Sequence, residues 1–363
     1  MFYETADGRA WRSEAQVRDV FERKLALAVG VSGAGFINWI WNTNPFMASD
    51  NEAAIGLLRP DGTAKPELDV WRAVAQFAQA AAPLLAGRER DNIVMVVPHA
   101  NQFSVRSHAI AATRRAVRAM HYHCRTPMAA VSEFALGAWP GCPRLVILPS
   151  PRILTREGWA ALQGWMEQGA TLLVTGPFDD DEHWIPTGRM TSLGLSPVTR
   201  PVMPQETLVV EGVSLALRYR GEKMHRIETA LRDEAATDGT NIVAVPVGGG
   251  RLLWSPIPVE LAEEEEPTAA LYRAAIMAAG LSPAIASPAG SDVLIHPARY
   301  RDVVLYTLLS ESHPSSDVTF ADNVLGVSLT VKLRGGGAAL VLLNRSNGQV
   351  AADYPRGCAR PER

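Results

Sequence analysis

The middle of this 363-residue chain alternates short apolar runs with amphipathic helical segments. The apolar runs have the length of buried strands, and they are Ile93–Val97, 128–131, Leu145–Leu148 and 171–174. Because such strands are apolar on both faces, the alternation predicts a parallel sheet that helices cover on each side. Two predicted helices, at residues 108–120 and after Thr155, separate the runs. We therefore expect a doubly wound α/β domain.

The composition argues against several classes of protein. The chain has 35 lysine and arginine residues against 38 aspartate and glutamate residues, so its net charge of −3 gives no basis for binding a phosphate backbone. No apolar run approaches the ~20 residues that cross a bilayer. The three cysteines are widely spaced, which predicts neither a disulfide framework nor a zinc site. We expect no nucleic-acid or membrane partner, and a cytoplasmic location because the first residues lack an export signal.

The first 86 residues predict two helices on either side of an apolar strand. Ser13 and Gln16 have the spacing of a capping box, and Gly30 is placed to end the helix that follows. Residues 35–41 predict a buried strand, and a long loop follows it. A turn at Asp61-Gly62 and Pro66 then introduce the second helix. This order is typical of the end of a repeating β/α array.

Several stretches of this region resemble the last two β/α units of a (β/α)8-barrel glycoside hydrolase of the β-galactosidase and cellulase-like clan. They are Glu4-Thr5, Gly35-Phe-Ile-Asn-Trp-Ile-Trp-Asn-Thr-Asn-Pro45, Asn51-Glu52, Ile55-Gly56 and Arg59-Pro-Asp-Gly-Thr-Ala-Lys-Pro-Glu67. The resemblance implies a retaining β-glycoside hydrolase with Glu4 as the nucleophile. It implies that Trp41, or alternatively Trp39, forms the floor of the sugar subsite. Hydroxyl-binding side chains would then be Asn42, Asn44 and Glu52.

The resemblance covers only part of a catalytic barrel. Such a barrel takes ~250 residues and eight strands, and a retaining enzyme needs two carboxyl groups ~5–5.5 Å apart. The Asn-Glu pair of the fourth strand has no counterpart, because everything after Glu4 belongs to later elements. We therefore expect a C-terminal fragment that is inactive alone. The alternative is a non-catalytic carbohydrate-binding or oligomerisation subunit. The expected partners are a carbohydrate and either further copies of the chain or the missing N-terminal half.

Residues 90–287 resemble the flavodoxin-like, glutamine-amidotransferase-like module that family 42 β-galactosidases use as a trimerisation domain. The resemblance lies in Arg144-Leu-Val-Ile-Leu-Pro-Ser150 and in Met166-Glu-Gln-Gly-Ala-Thr-Leu-Leu-Val-Thr-Gly176. It implies a homo-oligomer. A further reading is an amidotransferase-like domain with its own small-molecule ligand, which requires a pocket of converging polar groups at the carboxyl ends of the sheet. Cys142 lies in a proline-bracketed loop and has the wrong context for an amidotransferase nucleophile.

The last part of the chain is rich in predicted strands. Glycines at 248–250 and 335–337 each predict the turn of a hairpin. Residues 288–363 thus predict a small antiparallel β-sandwich, similar to the C-terminal β domain of the same enzymes, after a barrel remnant at residues 1–86. We expect neither cofactor nor metal, and interpret His121-Tyr-His-Cys124 as an exposed helix end.

Overall fold

The computed structural model describes residues 13–33, 35–44, 46, 55–103, 108–221, 224–231, 242–312 and 314–362. These residues form two compact units. The first unit contains the described residues up to Glu89 together with those from Ala284 on, and the second contains the described residues between Arg90 and Pro283. None of the helices in these ranges has the length and apolar character that crossing a membrane needs.

Helices and strands alternate in the middle of the chain, and strands dominate its end. The helices are α1 (Glu14–Gly30), α2 (Pro66–Ala81), α3 (Ala109–Arg118), α4 (Arg156–Glu167), α5 (Arg189–Ser192) and α6 (Glu266–Ala278). The strands are β1 (Ile93–Val97), β2 (Ala129–Ser132), β3 (Leu145–Leu148), β4 (Thr171–Thr175), β5 (Thr199–Pro201), β6 (Gln205–Val210), β7 (Val213–Arg218), β8 (Glu228–Ala230), β9 (Val243–Val247), β10 (Gly250–Ser255), β11 (Ile285–Ala286), β12 (Val293–Arg299), β13 (Val303–Ser310), β14 (Ser316–Asp322), β15 (Val327–Leu333), β16 (Ala338–Asn344), β17 (Val350–Tyr354) and β18 (Ala359–Pro361).

The second unit is built on a six-stranded sheet in the order β2-β1-β3-β4-β10-β9. The first five strands of this order are parallel, and β9 pairs antiparallel with β10 at the edge. Both β3 and β4 are buried along their whole length, because α4 covers one face of the sheet while α3 and α6 cover the other. The predicted parallel sheet with helices on both faces is confirmed.

Two local signals in the second unit act as the sequence predicts. Thr155 caps α4, since its side-chain oxygen accepts a hydrogen bond of 3.0 Å from the backbone N–H of Gly158. The glycines at 248–250 join β9 and β10 in an antiparallel hairpin. Gly248 adopts a φ of +55°, which favours glycine.

The first unit contains two four-stranded antiparallel sheets, in the orders β11-β14-β15-β18 and β12-β13-β16-β17. Apolar side chains from both sheets form one buried cluster that includes Tyr306 and Phe320. The predicted hairpin around residues 335–337 is wrong, because β15 and β16 belong to different sheets. The glycines there carry the chain from one sheet to the other. A glycine-rich turn looks the same in sequence whether it joins two strands of one sheet or two strands of different sheets.

Helices α1 and α2 pack with the sheet that contains β13, β16 and β17. The predicted capping box is confirmed, since Ser13 and Gln16 exchange hydrogen bonds at the start of α1. The helix ends at Gly30 as predicted, and the reason for glycine is a close approach: a Cβ atom there would lie 2.0 Å from the side-chain oxygen of Thr307. Pro66 occupies the first turn of α2, also as predicted.

The buried strand predicted at residues 35–41 is wrong. This segment has no regular secondary structure, and its odd-numbered residues are exposed. Ile37 is 96% exposed. A strand needs neighbours that pair with its backbone, and among the described residues the only bridge next to this segment joins Asn42 to Leu58.

Candidate functional site

Trp39 and Trp41, the predicted sugar-binding aromatics, both present their side chains at the surface of the first unit. Their exposed fractions are 66% and 57%. Phe36, in the same segment, packs edge-on against Trp71 of α2, with 4.6 Å between the ring centroids. The segment therefore combines one aromatic ring that is packed on a helix with two that are available for contact.

The backbone of Trp41 is held firmly although its side chain is exposed. Its carbonyl oxygen accepts hydrogen bonds from the N–H groups of Leu57 and Leu58, at 2.8 and 3.0 Å. The N–H of Thr43 donates to the carbonyl oxygen of Leu58 at 2.9 Å. A Cβ atom at Gly56 would lie 2.1 Å from the nitrogen of Thr43, so only glycine fits beneath this turn.

The remaining predicted site residues have different outcomes. Asn42 is exposed beside Trp41, where its side chain is available to a ligand. Asn44 uses its side-chain oxygen in a local turn, accepting a hydrogen bond of 3.1 Å from the N–H of Phe46. Glu4 and Glu52 lie outside the described residues.

The loop that leads into α2 is joined to α1 by an ion pair. Arg59 forms a two-bond ion pair with Glu14 of α1, with nitrogen–oxygen distances of 3.0 and 2.6 Å. Hydrogen bonding to Arg59 holds the pKa of Glu14 below its ordinary value. Arg59 also donates to the carbonyl oxygen of Ala64 at 2.7 Å. The predicted Asp61-Gly62 turn is present, with a φ of +82° at Gly62.

The second unit contains a cavity of about 420 Å³. Residues that follow the carboxyl ends of four parallel strands line it: Asn101 after β1, Ser150 and Arg152 after β3, Pro177 after β4, and Pro258 and Leu261 after β10. A further part of the wall comes from His225 to Glu228, which lead into β8. His108 and Trp184 complete the lining.

A buried carboxyl group lies under Ser150. Glu260 accepts hydrogen bonds from the hydroxyl groups of Ser150, Thr175 and Tyr272, at 2.7, 2.6 and 2.8 Å. Burial raises the pKa of Glu260, while the three hydroxyl groups oppose that rise. Ser150 itself has a φ of +43°, which is unusual for a residue with a side chain. The network therefore holds Ser150 in a strained backbone conformation at the cavity wall.

Asn101 is 1% exposed, and its side-chain amide lies at the cavity. Its side-chain nitrogen donates a hydrogen bond of 2.6 Å to the carbonyl oxygen of Pro151. Because a carbonyl oxygen can only accept, this bond fixes which way round the amide group lies. The side-chain oxygen of Asn101 then has no hydrogen-bond partner among the described residues.

One side of the cavity carries a charged group over an aromatic ring. Arg152 donates to Asp180 at 2.9 Å and to Glu228 at 2.8 Å. Its guanidinium carbon lies 5.8 Å from the centroid of the Trp184 ring. Burial raises the pKa of Asp180, although the neighbouring guanidinium acts in the opposite direction. The positive charge of Arg152 is thus already compensated by two carboxylates.

The two cysteines of the second unit differ in exposure, since Cys124 is buried and Cys142 is exposed. A helical turn ends at His123 as predicted, but its predicted exposure is wrong: residues 121–123 are half-buried, and Cys124 is buried and donates to the carbonyl oxygen of Ala269. Burial raises the pKa of Cys124 to about 12 and lowers that of His121 to about 4. No three potential metal ligands come together within the ranges that the structure describes. Cys142 precedes β3 and contacts the carbonyl oxygen of Trp165.

Comparison with known proteins identifies the fold. The sequence matches no protein-family model and no curated protein. A β-galactosidase from Bacillus circulans sp. alkalophilus is 12% identical and superposes with a TM-score of 0.68, over 91% of this chain and 52% of its own. A β-galactosidase from the haloarchaeon Halorubrum lacusprofundi is 14% identical, with a TM-score of 0.63 over 93% of this chain and 51% of its own.

Proteins with another named activity share this fold. The α-L-fucosidase isoenzyme 2 from Paenibacillus thiaminolyticus is 12% identical and has a TM-score of 0.53, over 90% of this chain and 55% of its own. The chain spans about half the length of these solved structures. Its described fold is that of glycoside hydrolases, and the match to GH42 β-galactosidases fits the C-terminal part of a GH42-like protein, as the sequence predicts.

Proposed function

We propose that this chain supplies the C-terminal part of a retaining β-glycoside hydrolase, in which Trp41, with Trp39 beside it, contacts the sugar. The observation that carries this proposal is the pairing of exposed side chains with a fixed backbone at Trp41. An aromatic ring face is apolar and carries partial negative charge, so it attracts the C–H face of a sugar ring. The exposed side chain of Asn42 supplies polar atoms at the edge of that platform.

The fold supports this proposal independently of the site. GH42 β-galactosidases superpose on more than nine-tenths of the chain. The order β2-β1-β3-β4-β10 is the order 2-1-3-4-5 of flavodoxin-like sheets, which supports our assignment of a flavodoxin-like module. The shared core of the two antiparallel sheets supports assigning the other module as a β-sandwich.

In this account Glu4 is the nucleophile, and Glu52 and Asn44 lie around the subsite. Hydrolysis with retention needs a second carboxyl group close to the nucleophile. The resemblance supplies only Glu4 from this chain. We therefore expect the purified chain to bind a β-galactoside without cleaving it.

The experiment is an isothermal titration of the purified chain with methyl β-D-galactopyranoside. We expect Trp41→Ala to weaken binding about tenfold, which corresponds to ~1.4 kcal/mol, and Trp39→Ala to weaken it less. The matched control is Phe134→Ala, which removes an aromatic side chain that is 67% exposed in the other unit and leaves this binding event unchanged. Equal affinities in the wild type and Trp41→Ala would contradict the proposal, as would cleavage of a nitrophenyl β-galactoside by the purified chain.

One observation favours the alternative of an assembly subunit. Ile37, Trp39, Trp41 and Phe46 form a stretch of exposed large apolar side chains, and such surfaces mark sites of association. If the segment binds a protein partner instead of a sugar, Ile37→Ser lowers the apparent mass in light scattering. In the same experiment methyl β-D-galactopyranoside has no effect.

A further inference from the structure

We propose that the cavity of the second unit is a separate binding site for a neutral ligand rich in hydroxyl groups, a monosaccharide or disaccharide. Its position is the first reason. Neighbouring strands β2 and β3 lie on opposite sides of β1, so the connections leaving β1 and β3 diverge at their carboxyl ends. Ligands of open parallel sheets bind in the crevice that this divergence creates. Asn101 follows β1, and Ser150 follows β3.

The unused atom of Asn101 decides what kind of group the ligand must offer. A buried acceptor without a partner is unfavourable, and within the part of the chain that the structure describes the Asn101 oxygen has none. The bond to Pro151 prevents the amide from reversing. The ligand group that pairs with this oxygen must therefore be a donor. A hydroxyl group is a donor, whereas a phosphate dianion or a carboxylate is not.

The charges at the wall also favour a neutral ligand over an anion. Arg152 already binds Asp180 and Glu228, so its charge is not available without breaking an ion pair. The carboxylate of Glu228 repels an anionic ligand and accepts hydrogen bonds from hydroxyl groups. A phosphate-binding loop of glycines is absent after β1 and β3, where the chain reads Pro98-His-Ala-Asn101 and Pro149-Ser-Pro-Arg152.

The apolar part of the wall fits the C–H face of a sugar ring. Trp184 lines the cavity with the Arg152 guanidinium over its ring, and Pro177, Ile227 and Pro258 add apolar surface. The volume of about 420 Å³ lies within the usual ~300–1,000 Å³ of small-molecule sites. Apolar faces combined with a few converging polar groups are the general pattern of such sites.

The test is a calorimetric titration of the whole chain with D-galactose, lactose and inorganic phosphate. In wild-type protein we expect a sugar to bind and phosphate not to bind. Trp184→Ala is expected to weaken sugar binding about tenfold through loss of apolar contact. Glu228→Gln keeps the shape of the wall and removes its charge, so it weakens binding of a sugar but strengthens binding of an anion. Circular dichroism establishes that each variant is folded.

Variants of the first unit separate this proposal from the preceding one. Trp39→Ala and Trp41→Ala leave binding in the cavity unchanged, whereas Trp184→Ala leaves binding at Trp41 unchanged. Three results would overturn the proposal: phosphate binding by the wild type, sugar binding that Trp184→Ala and Glu228→Gln both leave unchanged, or no binding of either sugar by the wild type.

Discussion

The hydroxyl group of Tyr354, on β17, donates a hydrogen bond of 2.5 Å to the carboxylate of Glu22, in the middle of α1. The two residues are 332 positions apart. Glu22 is almost fully buried and also pairs with Arg18 and Arg334. A buried carboxylate with several partners joins the beginning of the described chain to its end within one unit.

Removing that hydroxyl group should destabilise the first unit. Tyr354→Phe leaves one oxygen of a buried carboxylate with fewer donors, which typically costs about 1–3 kcal/mol. We expect a matching loss in the free energy of unfolding measured with urea. Arg360→Ala is the control, because its ion pair with Asp317 is exposed and such pairs contribute less than ~1 kcal/mol. Equal losses in the two variants would show that Glu22 does not depend on Tyr354.

The close approach of Gly30 to Thr307 gives a second prediction. Gly30→Ala places a methyl group 2.0 Å from the Thr307 side-chain oxygen, and such overpacking costs about 1–3 kcal/mol. Gly164→Ala is the matched control, since a Cβ atom there meets nothing within 4 Å. Alanine favours a helix over glycine by ~1 kcal/mol, so the two changes should shift the melting temperature in opposite directions. A higher melting temperature for both variants would mean that α1 does not pack closely against β13.

The buried carboxyl group of Glu260 makes stability depend on pH. Burial raises its pKa above the ordinary value of 4.5, so the folded state prefers the protonated form. This contribution to stability is fully present below about pH 4.5 and is lost as the pH rises through the raised pKa. Glu260→Gln lacks this titration, and its stability relative to the wild type should rise with pH. Unfolding both proteins with denaturant between about pH 4 and about pH 8 measures this difference in the free energy of unfolding. A difference that does not change with pH would contradict the prediction.

The glycine beneath Trp41 allows a test that leaves the aromatic side chain in place. Gly56→Ala puts a Cβ atom 2.1 Å from the Thr43 nitrogen and must displace the turn that holds Trp41. We expect binding of methyl β-D-galactopyranoside to weaken while cavity binding is unchanged. Gly35→Ala, where a Cβ atom has open space, should bind like the wild type. Unchanged affinity in Gly56→Ala would mean that the fixed backbone is not needed.

The sequence predicts elements well where a local signal is strong. The strand at Leu145–Leu148, the Thr155 cap and the Pro66 helix start all lie where expected. The segment at residues 35–41 is predicted wrongly because an apolar run can also lie exposed at the surface, as Ile37, Trp39 and Trp41 do. Likewise, the glycines at 335–337 signal a turn but carry no information about which sheet the next strand joins.

The cavity could be foreseen only in part. Residues after β1 and β3 follow from the rule that parallel sheets bind ligands at their carboxyl ends, and polar residues there are visible in the sequence. The wall from His225 to Glu228 could not be foreseen, because it depends on the pairing of β5 with β8, which are far apart in sequence. The partners of Glu260 are equally hidden, since Ser150 lies 110 positions away.

The central claim is that a sugar contacts Trp41, with Trp39 beside it, and indole NMR tests this most directly. The chain has nine tryptophans, and each indole N–H gives one resolved signal that single substitutions assign. Titration with methyl β-D-galactopyranoside should shift the signal of Trp41, and that of Trp39 with the same midpoint. The buried indole of Trp254, which donates to Gly176, should not move. Unchanged signals from Trp39 and Trp41 at a concentration that saturates the protein would contradict the account.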